Sequence, residues 1–271
     1  MKNLTKILVV LAVACIALST TGCNKLKARD SLNKGVQAYK NAKYEEAIDK
    51  FQNAVALDPT LINARLYLAT AYAQQYIPGA DAPDNNKMAE QAIDQYKEVL
   101  KRDPSNINSV KGIAYLYLQM KKFDDAKEFY RKAVTADPND PEPYYSIGVI
   151  DWTETYQPRM EERAKLGLKP EEPLKDKKVC NALKEKNAAN IQDGIDNLDK
   201  ALKLRPDYDD AMAYMNLMYR ERADIQCDDP AARAADLKTA DEWVDKTMAT
   251  KKAKAEKQPG AQGITLDQNA K

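Results

Sequence analysis

Four times along this chain a run of helical spacing ends on the same corner: AIDKFQNAVALDP from Ala47 to Pro59, AIDQYKEVLKRDP from Ala92 to Pro104, AKEFYRKAVTADP from Ala126 to Pro138, and GIDNLDKALKLRP from Gly194 to Pro206. Such self-similarity restricts the fold more than any local propensity, because a recurring unit must bury its apolar face against its own copies. The stretch from Ile107 to Pro138 is the bare unit. Apolar residues recur at Val110, Ile113, Ala114 and Tyr117, and again at Ala126, Phe129, Tyr130, Ala133 and Val134, so that each set draws one apolar stripe on a short helix. Lys121 and Lys122 mark the corner between the two helices, and Pro138 closes the second. Pro104 to Pro138 gives a period of 34 residues; the unit ending at Pro104 is longer by 11 and the unit ending at Pro206 by another 34.

The pattern resembles the tetratricopeptide repeat, a helix-turn-helix unit with small residues where its helices cross, an aromatic in the second helix and a closing proline. The matching residues are Gly35, Ala47, Phe51, Ala54 and Pro59, then Ala69, Ala92, Tyr96, Val99 and Pro104, then Ala114, Ala126, Tyr130, Ala133 and Pro138. The fourth unit reads Gly148, Gly194, Leu198, Ala201 and Pro206, and its Leu198 departs from the aromatic. Small residues let two helices approach closely and the aromatic fills the wedge between them. The resemblance implies an all-α fold, an α-α superhelix (TPR solenoid) of about five helix-turn-helix repeats with a C-terminal capping helix, in one elongated domain over 28–250. The repeats are expected at 28–61, 62–106, 107–140, 141–208 and 209–250.

Two units carry extra chain. Gln74 to Lys87, QQYIPGADAPDNNK, holds Pro78, Gly79 and Pro83 and reads as a loop between helices. In the fourth unit, 157–187 reads as a helical insert: a short helix started by Pro158 and ending near Gly167, and a second after Pro173 that runs into the repeat's own second helix. Because the insert is one period long, a degenerate extra repeat stays open as an alternative. Residues 251–271 have few apolar side chains and are expected to form a disordered tail.

At the other end, Lys2 and Lys6 precede an apolar run from Ile7 to Leu18, the layout of a signal peptide over 1–22. The following LSTTGCNK resembles a bacterial lipoprotein cleavage site, which implies that Cys23 becomes the acylated terminus of a linker over 23–27. Thr20 stands where that family usually has leucine. The alternative is ordinary cleavage after Gly22 and a soluble periplasmic protein. Asn24 is not the aspartate that retains lipoproteins at the inner membrane, so the resemblance implies the outer membrane, facing the periplasm. Cys180 and Cys227 remain as a pair in an oxidising compartment and are expected to form a disulfide, with two buried thiols as the alternative.

The chain contains no histidine. Ser-His and Cys-His nucleophile pairs and His-ligated metals are therefore excluded, and neither a catalytic centre, a metal site nor a cofactor is expected. Removing 1–22 leaves 40 basic against 41 acidic residues, a balance that argues against nucleic-acid binding. The paired acids Glu45 and Glu46, or Asp124 and Asp125, begin second helices and suit the helix dipole there.

In the tetratricopeptide fold first helices line a concave groove, and the matching positions carry Asn63, Tyr67, Asn108, Lys111, Tyr115, Tyr145, Trp152 and Tyr214. The resemblance thus implies a non-enzymatic interaction scaffold that binds a peptide or partner helix, anchored to the membrane by lipid. Similar lipid-anchored repeat proteins serve outer-membrane protein assembly and type IV pilus biogenesis. The family's chaperone-tail clamp needs Lys, Asn and Arg at positions occupied here by Leu32, Val36, Tyr67, Asn108 and Gly112, so that mechanism is not supported. An alternative reading is a cell-wall-acting enzyme or enzyme subunit using paired carboxylates, chemistry that needs no histidine.

Overall fold

Alternating apolar stripes and proline corners fold into helical hairpins. The computed structural model describes residues 22–80, 82–169 and 172–257, and among these there are ten helices and no strand. The chain divides into two compact units, one up to Ala136 and one from Asp137. The first contains α1 (22–40), α2 (Tyr44–Leu57), α3 (Ile62–Gln75), α4 (Pro83–Leu100), α5 (Ile107–Gln119) and α6 (Phe123–Ala136). The second contains α7 (Pro141–Lys165), α8 (Lys177–Leu204), α9 (Asp209–Asp224) and α10 (Pro230–Lys257). Within each unit every helix packs on the next in sequence, and in the second unit α7 also lies beside α9. This is the all-α solenoid architecture implied by the repeats.

The repeat residues do what their sizes suggest. Ala47, Phe51, Ala54, Ala69, Ala92, Tyr96 and Ile113 are all buried in the first unit. A methyl group on Gly35 would lie 2.5 Å from the Phe51 ring, and one on Gly148 would lie 2.5 Å from Leu198 Cγ. The missing side chain is therefore what lets the two helices of these hairpins touch. The Asp-Pro corners have a local cause as well. Asp58 Oδ1 accepts from Thr60 N at 3.0 Å and Asp103 Oδ1 from Ser105 N at 3.2 Å, Asx turns that start the chain toward the next helix. The Thr60 and Ser105 hydroxyls donate to the same oxygens at 2.6 and 2.7 Å, and chiefly these bonds hold both carboxyls below the ordinary aspartate range. The corners inside hairpins use a left-handed residue, Ala42 at φ 58° and Lys121 at φ 57°.

Four boundaries differ from expectation. The loop expected over 74–87 is shorter at both ends: α3 runs through Gln75, and Pro83 occupies the first turn of α4, where its missing N–H costs nothing. Asn85 then staples the loop, accepting from Ile77 N at 2.7 Å and donating to the carbonyls of Ile77 and Ala80 at 2.8 Å. In the fourth unit Pro158 starts no helix: α7 runs through it to Lys165 and stops at Gly167, φ 66°. The second helix begins at Asp176, whose side chain accepts from Val179 N, and α8 continues unbroken to Leu204. The insert thus lengthens both helices of one hairpin. Residues 251–257 belong to α10, where Lys254 donates to Asp209 Oδ1 at 2.5 Å, and 258–271 lie outside the described residues. Residues 23–27, expected as a linker, are already helical in α1.

Candidate functional site

First-helix faces carry the residues implied for partner binding, and the two units present them differently. In the first unit Asn63 and Asn108 are exposed and Lys111 is half-buried. Tyr67 is 40% exposed and Tyr115 50%, large rings left open to solvent. Tyr67 stacks on Phe51 with ring centres 5.6 Å apart, so packing fixes its position while one edge stays open.

In the second unit the aromatics converge. Tyr145 and Trp152 from α7 meet Tyr214 of α9 at 5.7 and 5.4 Å, edge to face. Tyr208 adds to the group at 4.8 Å from Tyr145, and Tyr156 at 4.8 Å from Trp152. Tyr145, Trp152 and Tyr214 are half-buried, and Trp152 Nε1 is buried with no hydrogen-bond partner. The half-buried faces of these rings can take an apolar side chain of a partner, while the buried indole N–H is closed off from an incoming ligand. Burial pushes the Tyr145, Tyr208 and Tyr214 hydroxyls above the ordinary phenol range, with nearby carboxylates adding to the shift, so all three are donors at neutral pH. Glu142 fixes one end, accepting from Tyr208 Oη and Arg205 at 2.7 Å each.

Beyond the aromatics, α7 and α9 are joined by buried ions. Arg163, 1% exposed, donates to Asp224 Oδ2 at 2.7 Å and to the backbone carbonyls of Lys169 and Glu172. Arg159 reaches the same Asp224 oxygen at 3.0 Å, and its Nε lies 2.9 Å from Glu221 Oε2. Burial pushes the Glu221 carboxyl up to about 7; Arg159 pulls against that shift and Asp224 adds to it. Only the i, i+4 spacing of Arg159 and Arg163 in a segment expected to be an insert hinted at this network. Cys180 and Cys227 form a disulfide with their Cα atoms 5.5 Å apart, and Cys180 Sγ lies 3.4 Å from the Asp224 carbonyl. The same corner is therefore held by ions and by a covalent tie. Cys23 is exposed; residues 1–21, within the segment expected to be a signal peptide, lie outside the described residues. Among the described residues no group of three or more His, Cys, Asp or Glu is placed to hold a metal ion, and no helix is long and apolar enough to cross a membrane.

Stacked helical hairpins with small residues at the crossings define a tetratricopeptide-type solenoid. Residues 86–147 match the family model of the tetratricopeptide repeat. The structure resembles that of MamA protein, at 12% sequence identity over 86% of this chain and 97% of that one, with a TM-score of 0.58. It resembles MamA from Desulfovibrio magneticus RS-1 at 18% identity over 84% and 96% of the two chains, with a TM-score of 0.56. At these identities the likeness concerns the fold. No curated protein sequence matches the chain.

Proposed function

We propose that this protein is a non-enzymatic protein-interaction scaffold, anchored by acylated Cys23 at the periplasmic face of an outer membrane, and that it holds a peptide or partner helix on its first-helix faces. The observation that carries the reading is the half-buried aromatic cluster of Tyr145, Trp152 and Tyr214. Aromatics held by their neighbours lose little side-chain entropy on binding, the property that makes Tyr and Trp anchors of interfaces. Exposed Tyr67 and Tyr115 extend the same kind of surface in the first unit. A disulfide suits an exported protein. The role in outer-membrane or pilus assembly is by analogy with other lipid-anchored repeat proteins. Glu221 and Asp224, the deeply buried acid pair, are held by Arg159 and Arg163 in an arrangement that fits structure better than paired-carboxylate catalysis.

The test is a crosslinking pull-down from intact envelopes with the native chain and with a Tyr67→Ala, Tyr115→Ala, Tyr145→Ala variant of unchanged helical content. Loss of specific partners from the variant is the expected result. Recovery of the same partners with both chains refutes the use of these faces. Metabolic labelling with palmitate, present in the native chain and lost in Cys23→Ser, checks the anchor; an unlabelled native chain would leave a soluble periplasmic protein.

A further inference from the structure

The residues expected as a linker after the proposed acylation site are instead the first turns of α1, and Cys23, Lys25, Leu26, Lys27 and Arg29 are all exposed there. We propose that these two turns form a membrane-contacting surface, in which Leu26 enters an anionic phospholipid leaflet and Lys25, Lys27 and Arg29 meet its phosphates. The inference rests on the lipid-anchor reading and adds to it that α1 is held against the bilayer, so that the first unit does not swing on a tether.

Three observations carry it. The first is apolar exposure. Leu26 is 72% exposed, more than any other large hydrophobic side chain among the described residues. It lies three residues after Cys23, a spacing that puts both side chains on one face, so the acyl chains and the leucine leave α1 on the same side. Ala28, Ser31 and Ala38 form the buried face of the helix, away from Leu26. The second is charge. Among the described residues Lys25, Lys27 and Arg29 enter no ion pair, and Asp30 is already held by Lys34 at 2.7 Å. Asp58, at the corner after α2, is the acid that faces Lys25 and Arg29; Thr60 chiefly lowers its carboxyl, and the two cations add to that. The surface therefore keeps two positive charges in excess. The third is distance. Six residues from Cys23 to Arg29 rise about 9 Å along a helix, and a charge is felt over about 8 Å at physiological ionic strength. Lys25 and Lys27 are nearer still. A helix that starts at the acylated residue thus keeps all three cations at the headgroups, and the acyl chains fix the anion they meet as a lipid phosphate.

Amine-reactive labelling of the acylated chain in vesicles tests this, with lysine modification read residue by residue by mass spectrometry. Lys25 and Lys27 should react about 10- to 100-fold more slowly in vesicles containing phosphatidylglycerol than in vesicles of phosphatidylcholine alone. Exposed Lys40, at the far end of α1, should react alike in both. Arg29→Gln should lower the protection about 5-fold and Leu26→Ser about 10-fold, and high salt should remove the dependence on phosphatidylglycerol. Both side chains are exposed, so the two variants are expected to unfold at the urea concentration of the native chain. Lys25 and Lys27 that react as fast as Lys40 in both vesicles, or that are protected equally without phosphatidylglycerol, would overturn the inference and leave the anchor standing. A native chain that takes up no palmitate would remove the anchor and the inference with it.

Discussion

Reduction of the Cys180–Cys227 disulfide should destabilise the second unit alone. The bridge closes a loop of 47 residues, and on the chain-entropy relation a loop of that size restricts the unfolded chain by about 4 kcal/mol at room temperature. The native state gives little back on reduction, because Arg163, Asp224 and the hydrogen bond of Arg159 hold the same corner without the bridge. Both tryptophans, Trp152 and Trp243, lie after Asp137, so their fluorescence reports on the second unit. Urea unfolding followed by tryptophan emission, with and without a reductant, measures the difference directly. The expected loss is about 4 kcal/mol, equivalent to a fall of roughly 10 to 20 °C in Tm for a unit of this size. Cys180→Ala also removes a buried sulfur, so reduction of the native chain is the cleaner perturbation. If oxidised and reduced chains unfold at the same urea concentration, the ions alone hold the corner and the reasoning fails.

Gly148→Ala should destabilise by about 1 to 3 kcal/mol, because a new methyl group 2.5 Å from Leu198 Cγ outweighs the gain of about 1 kcal/mol from replacing a helical glycine; a stabilised variant in urea unfolding would contradict the close-approach argument. Lys121→Gly, at a left-handed corner, should stabilise by about 1 kcal/mol in the same assay, since glycine adopts φ 57° without the side-chain penalty. Glu221 faces Arg159, Arg163 and Asp224, and its pKa is higher in the folded chain than the usual 4.5, so protonation favours the folded state. Stability from this group is greatest below about pH 4.5 and is lost as pH rises to about 7, a change of up to about 3 kcal/mol. Glu221→Gln should flatten that part of the stability profile, and an unchanged slope would show that Glu221 does not titrate there.

The hairpin pattern was legible because its causes are local. Gly35 meets Phe51 on the next helix of the same recurring unit, and the Asp-Pro corners close on a residue two positions later. Tyr67 and Tyr115 were open to the same reading, since their helix positions recur with the unit. The convergence of Tyr208 with Tyr145 was not, because Tyr208 precedes α9 and reaches back to Glu142 across 66 residues.

Pro158 shows where local rules stop. By itself a proline starts or breaks a helix, and on local rules Pro158 reads as a start. In the structure the turn that follows carries Arg159 and Arg163 onto Asp224, a partner 61 residues beyond Arg163, and those contacts fix the helix on both sides of the proline. Likewise Lys254, in a segment poor in apolar residues, is held helical beside Asp209, 45 residues earlier. The row of helical hairpins is written in the sequence, because periodic small, aromatic and proline residues act over one repeat. The lengths of α7, α8 and α10 and the contacts between them come from the folded chain, because ion pairs and ring contacts join residues whose spacing follows no period.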